Sequence, residues 1–303
     1  MMSLKRSLLV TAALLAALCI AFAAVWLHDN RVLRDFGAEV LDIQANKPIT
    51  GQVIERANAR LARYIELGHA GHFLFPGIRA TAVQVLERGG DCADRSRLLT
   101  TVLSEYGIRA TMVMLAPCTG CSFGHTVVEA IVADGRIVVD PTYGIAFPKP
   151  GGGYYDIRDL RRDPSIVRHE VAALQVQDKD KQAYVDFRSR YLGYFNDSRT
   201  INFGTNAFGQ WATRIVLAFD AEPELIYRPR ILEDPILVLV LLLGAGTLFT
   251  STALGVLVLR DRRHGSRPSH TPQHPADPST GVQYSPNAPV VQDDSASQGH
   301  RVR

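Results

Sequence analysis

The chain has 303 residues, 47% of them hydrophobic and 21% charged, with a formal net charge of +3. That length supplies the core of one large domain or two small ones. The near-balanced charge, without any Lys/Arg cluster interleaved with aromatics, gives no case for a nucleic-acid partner, and the lack of an internal repeat argues against a solenoid.

From the N-terminus, Leu8 to Leu27 is a 20-residue run without a charge, preceded by Lys5 and Arg6. It is long enough to cross a hydrocarbon core of ~30 Å at ~1.5 Å per residue. Ala21-Phe22-Ala23 also fits a signal-peptide cleavage site, but the run exceeds the usual h-region of roughly 7–15 residues, which favours an uncleaved anchor. A second run, Ile236 to Leu259, holds 24 uncharged residues behind Pro235. Arg260, Arg262, Arg263 and Arg267 follow it, while Glu233 and Asp234 precede it. By the positive-inside rule both chain ends are cytoplasmic. The expected layout is a cytoplasmic N-terminus (1–7), a membrane span (8–27), an extracytoplasmic domain (28–234), a second span (236–259) and a cytoplasmic tail (260–303). From about Gly265 that tail is rich in Pro, Ser, His and Gln and is expected to be disordered.

Within the domain, Val53 to Leu67 carries apolar residues at helical spacing, and Ala80 to Arg88 is a second short helix closed by Gly89-Gly90. Cys92 to Tyr106 reads as a third helix, with Leu98, Leu99, Val102 and Leu103 on one face and Gly107 as its end. The period then changes. Arg109 to Leu115, Thr126 to Ala133 and Arg136 to Val139 are short β-branched runs, the last two joined at Asp134-Gly135. Helices followed by antiparallel strands make an α+β domain. Ile166 to Tyr194 reads as largely helical, and Arg199 to Pro229 has no clear period.

The cysteines Cys19, Cys92, Cys118 and Cys121 are too few and too uneven for a disulfide scaffold. Cys92 opens a helix behind Gly89-Gly90-Asp91, where unpaired N–H groups and the helix dipole favour a thiolate. Its backbone N–H also points where an oxyanion would form. His125 begins one strand and Asp140 ends the next. Centring the turn on Asp134-Gly135 puts His125 opposite Gly144, so an offset is needed to bring Asp140 beside the imidazole. The three then read as nucleophile, base and orienting carboxylate.

Gly90-Asp91-Cys92-Ala93-Asp94, a Leu-rich helix, Tyr106-Gly107-Ile108-Arg109-Ala110, Gly124-His125-Thr126-Val127-Val128-Glu129-Ala130 and Ile137-Val138-Val139-Asp140-Pro141-Thr142 together resemble the transglutaminase-like superfamily. The resemblance spans roughly Val53 to Gly144. It implies a papain-like core, with Cys92 as nucleophile, His125 as base and Asp140 as orienter, and a peptide or protein substrate. It implies no cofactor. Where the family often has an aromatic two residues after the histidine, this chain has Val127. Gln84 is a candidate for the oxyanion side chain.

Other residues read more plainly. Asp94 is a first-turn residue favoured by the helix dipole, and Tyr191, Tyr194, Phe195 and Tyr227 are core or interface aromatics. Cys118 and Cys121 form a C-x-x-C pair four residues before His125. A local disulfide is the favoured reading outside the cytoplasm, against free thiols or a zinc site with Cys92 and His125. The expected chemistry is acyl transfer through a Cys92 thioester, released by water (peptidase or amidase) or by an amine (transglutaminase). The rival is a non-catalytic binding or assembly module at the lipid bilayer.

Overall fold

The computed structural model of the chain describes residues 2–42, 48–76, 78–118, 121–122, 124–173, 191, 193–200, 231 and 233–265. Among the described residues, two helices are long and apolar enough to cross a membrane: α1 (Met2–Leu41), over Ser3–Leu41, and α7 (Pro235–Gly265), over Pro235–Asp261. Residues up to Leu257 form one compact unit; of the second, from Val258, the described part is the end of α7. The expected disorder of the tail and Tyr227 lie outside the described residues, as does most of Arg199 to Pro229.

α1 continues well past the expected end of its apolar run at Leu27. The reason lies in its second half, where Leu33, Val40 and Leu41 enter the core. Full burial of each such side chain contributes about 1.5–3 kcal/mol. Gly37 lets the helix approach closely, since a Cβ there would lie 2.5 Å from the Tyr106 ring. The Tyr106 hydroxyl closes this contact by donating to the Arg34 carbonyl.

Helices α2 (Gly51–Tyr64), α3 (Ala82–Arg88) and α4 (Cys92–Glu105) follow, close to their expected bounds. Gly89 ends α3 at φ +80°, and its space is filled from the other side by the Glu66 carbonyl, 2.4 Å from where a Cβ would sit. A side chain there would both strain the backbone and collide with it.

A five-stranded antiparallel sheet has the order β4-β3-β2-β1-β5. The strands are β1 (Arg109–Ala116), β2 (His125–Val132), β3 (Gly135–Asp140), β4 (Ile145–Ala146) and β5 (Asp197–Arg199). The domain is therefore α+β. One sheet face (Ala110, Val128, Ala130, Ile137, Val139) packs with α1 to α4. The other (Val113, Leu115, Val127, Val138) packs with α5 (Ile157–Arg162), α6 (Pro164–Ala173), Tyr191 and Phe195. Alternation of side chains along the strands sorts the two faces.

The hairpin register differs from expectation. Val132 pairs with Gly135 and Val128 with Val139, so the loop is Ala133-Asp134. Gly135 opens β3 at φ +131°, a conformation open to glycine, and the Asp134 carboxylate is drawn off to accept from the Gly51 N–H at 2.8 Å.

Candidate active site

Cys92 is the first residue of α4. Asp91 caps that helix by accepting from the Asp94 N–H at 2.8 Å, and the Asp94 carboxylate accepts in return from the Asp91 N–H at 3.4 Å. This reciprocal cap fixes where the helix starts and so where the thiol sits. Asp94 has the first-turn role expected of it and also binds Arg97 at 3.1 Å. The N–H groups of the first helical turn lack partners four residues back.

His125 opens β2 beside Leu115 of β1. Continuing the β2–β3 ladder one step past Val128 and Val139 puts Asp140 opposite Val127. His125 is thus the diagonal neighbour of Asp140 on the same sheet face, a relation that side chains of this length bridge. The bridge is made: His125 Nε2 and Asp140 Oδ2 are 2.6 Å apart, with both residues buried. The observed register shortens the offset that the expected register required to this one diagonal step.

Asp140 is itself held in place. Its Oδ1 accepts from the Thr142 N–H at 2.8 Å and the Tyr143 N–H at 3.3 Å. The buried hydroxyl of Tyr191 interacts with the same carboxylate. Arg95, fully buried in α4, donates from Nη1 to the carbonyls of Pro141 (3.3 Å) and Thr142 (3.0 Å), and from Nη2 to that of Ile65. These carbonyls belong to the turn that directly follows Asp140.

Burial disfavours a charged imidazole, but the charge and hydrogen bond of Asp140, joined by those of Cys92, outweigh it and raise His125 to about 10. With Nε2 on the carboxylate, Nδ1 is the ring nitrogen left for the sulfur. The electrostatics therefore suit an imidazolium at neutral pH. Cys92 is only half-buried and is not in a disulfide.

Three tyrosines enclose the imidazole. Tyr143, Tyr191 and Tyr194 place their ring centroids 5.5, 5.4 and 6.0 Å from that of His125, with Tyr194 stacked. Burial and the nearby Asp140 charge push the Tyr143 and Tyr191 hydroxyls up, so they stay neutral donors. Gly124 makes room for the stack: a Cβ there would lie 2.4 Å from the Tyr194 ring. Sequence reading set Tyr191 and Tyr194 aside as core or interface aromatics, and no local pattern links them to His125.

Two further expectations resolve at the same place. Cys118 and Cys121 are bridged by a disulfide, with Cα atoms 5.2 Å apart. Their sulfurs are thereby committed, and among the described residues no cluster of three or more His, Cys, Asp or Glu could hold a metal ion. Gln84, the candidate oxyanion side chain, caps α3: its amide oxygen accepts from the Thr81 N–H at 2.9 Å. No protein-family model, curated protein or solved structure matches the chain.

Proposed function

We propose that this protein is a membrane-anchored, transglutaminase-like cysteine acyl-transfer enzyme with a papain-like core, acting as a peptidase or amidase. The observation that carries the reading is the convergence of Cys92, His125 and Asp140 from a helix start and two adjacent strands, with the 2.6 Å His–Asp contact and a raised imidazole. Four supporting residues around Asp140 (Thr142, Tyr143, Tyr191 and Arg95) are hard to explain for a structural ion pair alone.

In the proposed reaction the Cys92 thiolate attacks an amide carbonyl, forming a C–S bond and an oxyanion near the N–H groups that open α4. Collapse breaks the C–N bond, and the His125 imidazolium gives its proton to the leaving amine. The neutral imidazole then takes a proton from water as its oxygen attacks the thioester. A carboxylic acid leaves and the thiolate–imidazolium pair returns. Asp140 keeps Nδ1 facing the sulfur throughout. Water is assigned as acceptor because the half-buried thiol is open to solvent.

For the setting, we assign α1 and α7 as two membrane spans, with both chain ends cytoplasmic and residues 28–234 outside the cytoplasm. Lys5, Arg6 and the arginines after Leu259 support that orientation, as does the Cys118–Cys121 disulfide, a bond of oxidising compartments. Burial of Leu33, Val40 and Leu41 supports retention of α1 in the mature chain. The substrate is then a peptide or protein of the cell envelope.

The test is incubation of the purified full chain with a peptide library, with Cys92→Ala as control. Hydrolysed peptides and an acyl adduct on Cys92 by mass spectrometry are expected. Cross-linked products would reassign the acceptor to an amine, and products identical to those of Cys92→Ala would sink the enzyme reading.

A further inference from the structure

Away from the triad, a groove of about 510 Å³ opens between the loop from His72 to Arg79 and the first turns of α7. The loop is closed by an antiparallel bridge between His72 and Arg79 and by the Phe73 N–H bonding the Ile78 carbonyl at 3.0 Å. Its tip exposes Leu74 and Phe75, 55% and 57% accessible, and holds Leu74 at φ +59°. Left-handed backbone at a leucine costs on the order of 1–2 kcal/mol. A fold that keeps such strain in order to present two large apolar side chains invites a functional reason.

The far wall supplies one. Val238, Leu239 and Leu242 of α7 line the same groove, and Leu242 lies seven residues beyond Pro235, about 10 Å further along the helix axis. Asp234, just before α7, accepts from Trp26 Nε1 at 2.8 Å. Tryptophan is enriched at bilayer interfaces, so on the membrane reading proposed above Trp26 sets that level. On the same reading, the loop tip faces turns of α7 that lie below that level, and the groove between them opens toward the bilayer.

At its polar end the groove is tied to the nucleophile helix. Buried Arg97 of α4 links Asp94 at 3.1 Å to Glu233 at 3.6 Å beneath the groove. Arg79, at the rim, pairs with Asp91 at 3.5 Å and Asp94 at 3.4 Å. It also lines a polar cavity with His69 and His72 at the start of α4. Asp91 directly precedes Cys92. Arg79 therefore stands between the apolar groove and a polar cavity walled by Asp91, the residue before the nucleophile.

We propose that the groove holds an acyl chain of a membrane amphiphile whose polar head carries the amide that Cys92 attacks. This rests on the acyl-transfer and membrane readings above, and narrows the substrate to one presented at the bilayer.

The test uses the full chain in phosphatidylcholine nanodiscs and two probes, iodoacetamide and its N-hexadecyl analogue. Alkylation of Cys92 is read by mass spectrometry, with Cys19 in α1 reporting how far the bilayer concentrates the lipidic probe. The lipidic-to-soluble rate ratio at Cys92, normalised to Cys19, should fall about tenfold in Leu239→Trp, which fills the groove, and in Phe75→Glu, which charges its exposed wall. A ratio equal to wild type in both variants overturns the proposal. Cys92 inert to both probes would instead defeat the acyl-transfer reading. The groove is then judged by a phosphatidylcholine with a diazirine on its acyl chain. Cross-links to the loop at Phe73 to Phe75 are expected; cross-links to α7 without the loop would mean that protein fills the groove and overturn the proposal. No cross-link to either would defeat the groove and the membrane reading together.

Discussion

Arg95, three residues into the helix that begins at Cys92, donates to the Thr142 carbonyl at 3.0 Å. The nucleophile helix thereby grips the backbone that carries the orienting carboxylate, and helix and sheet are set relative to each other by one guanidinium. Arg95→Met leaves the Ile65, Pro141 and Thr142 carbonyls without their buried donor, at a cost of about 3 kcal/mol. Urea denaturation should show that loss, together with slower alkylation of Cys92. A full-stability variant with normal alkylation would release Arg95 from this positioning role.

Asp140→Asn keeps the shape of the contact with His125 but removes the charge. By comparison with hydrolases that use an aspartate in this role, the rate should fall roughly 10³–10⁴-fold. The alkaline edge of the pH profile should also move down from near 10, because the largest support for the imidazolium is gone. A pH–rate series on both proteins checks the two effects separately.

The raised imidazole also makes stability depend on pH. Unfolded, His125 titrates near its ordinary ~6.5; folded, it holds its proton to about 10. Between those values the folded chain binds the extra proton. The contribution is therefore complete below about 6.5 and is lost as pH rises through about 10. Urea midpoints of wild type should decline across that window more steeply than those of His125→Gln. Parallel declines would contradict the protonated imidazole.

The order of elements was legible in the sequence because α2 to α4 and β1 to β3 show clean periods of helix and strand. Cys92, His125 and Asp140 were legible because each stands at an element boundary. The register was misread: Asp134-Gly135 looks like a turn centre, but Asp134 is pulled toward Gly51 and Gly135 starts the strand. Strands β4 and β5, two and three residues long, are too short for any period to show. The tyrosine enclosure of His125 and the grip of Arg95 join residues far apart in the chain, and such contacts leave no local pattern.

Gly124 and Tyr194 should couple. Gly124→Ala forces a methyl against the stacked ring, an overpacking worth about 1–3 kcal/mol. Tyr194→Ala removes the ring and with it the obstruction. The double variant should then be at least about 1 kcal/mol more stable than the sum of the single losses predicts. Simple additivity in a denaturation cycle would mean that the stack on His125 does not constrain Gly124.

The central claim is that Cys92 is a nucleophile activated by His125. The most direct measurement is the rate of iodoacetamide labelling of Cys92 in the full chain at neutral pH, in wild type and His125→Ala. Rapid labelling that collapses in His125→Ala is the predicted result. Equal rates in the two proteins, or a Cys92 that does not label in wild type, would contradict it.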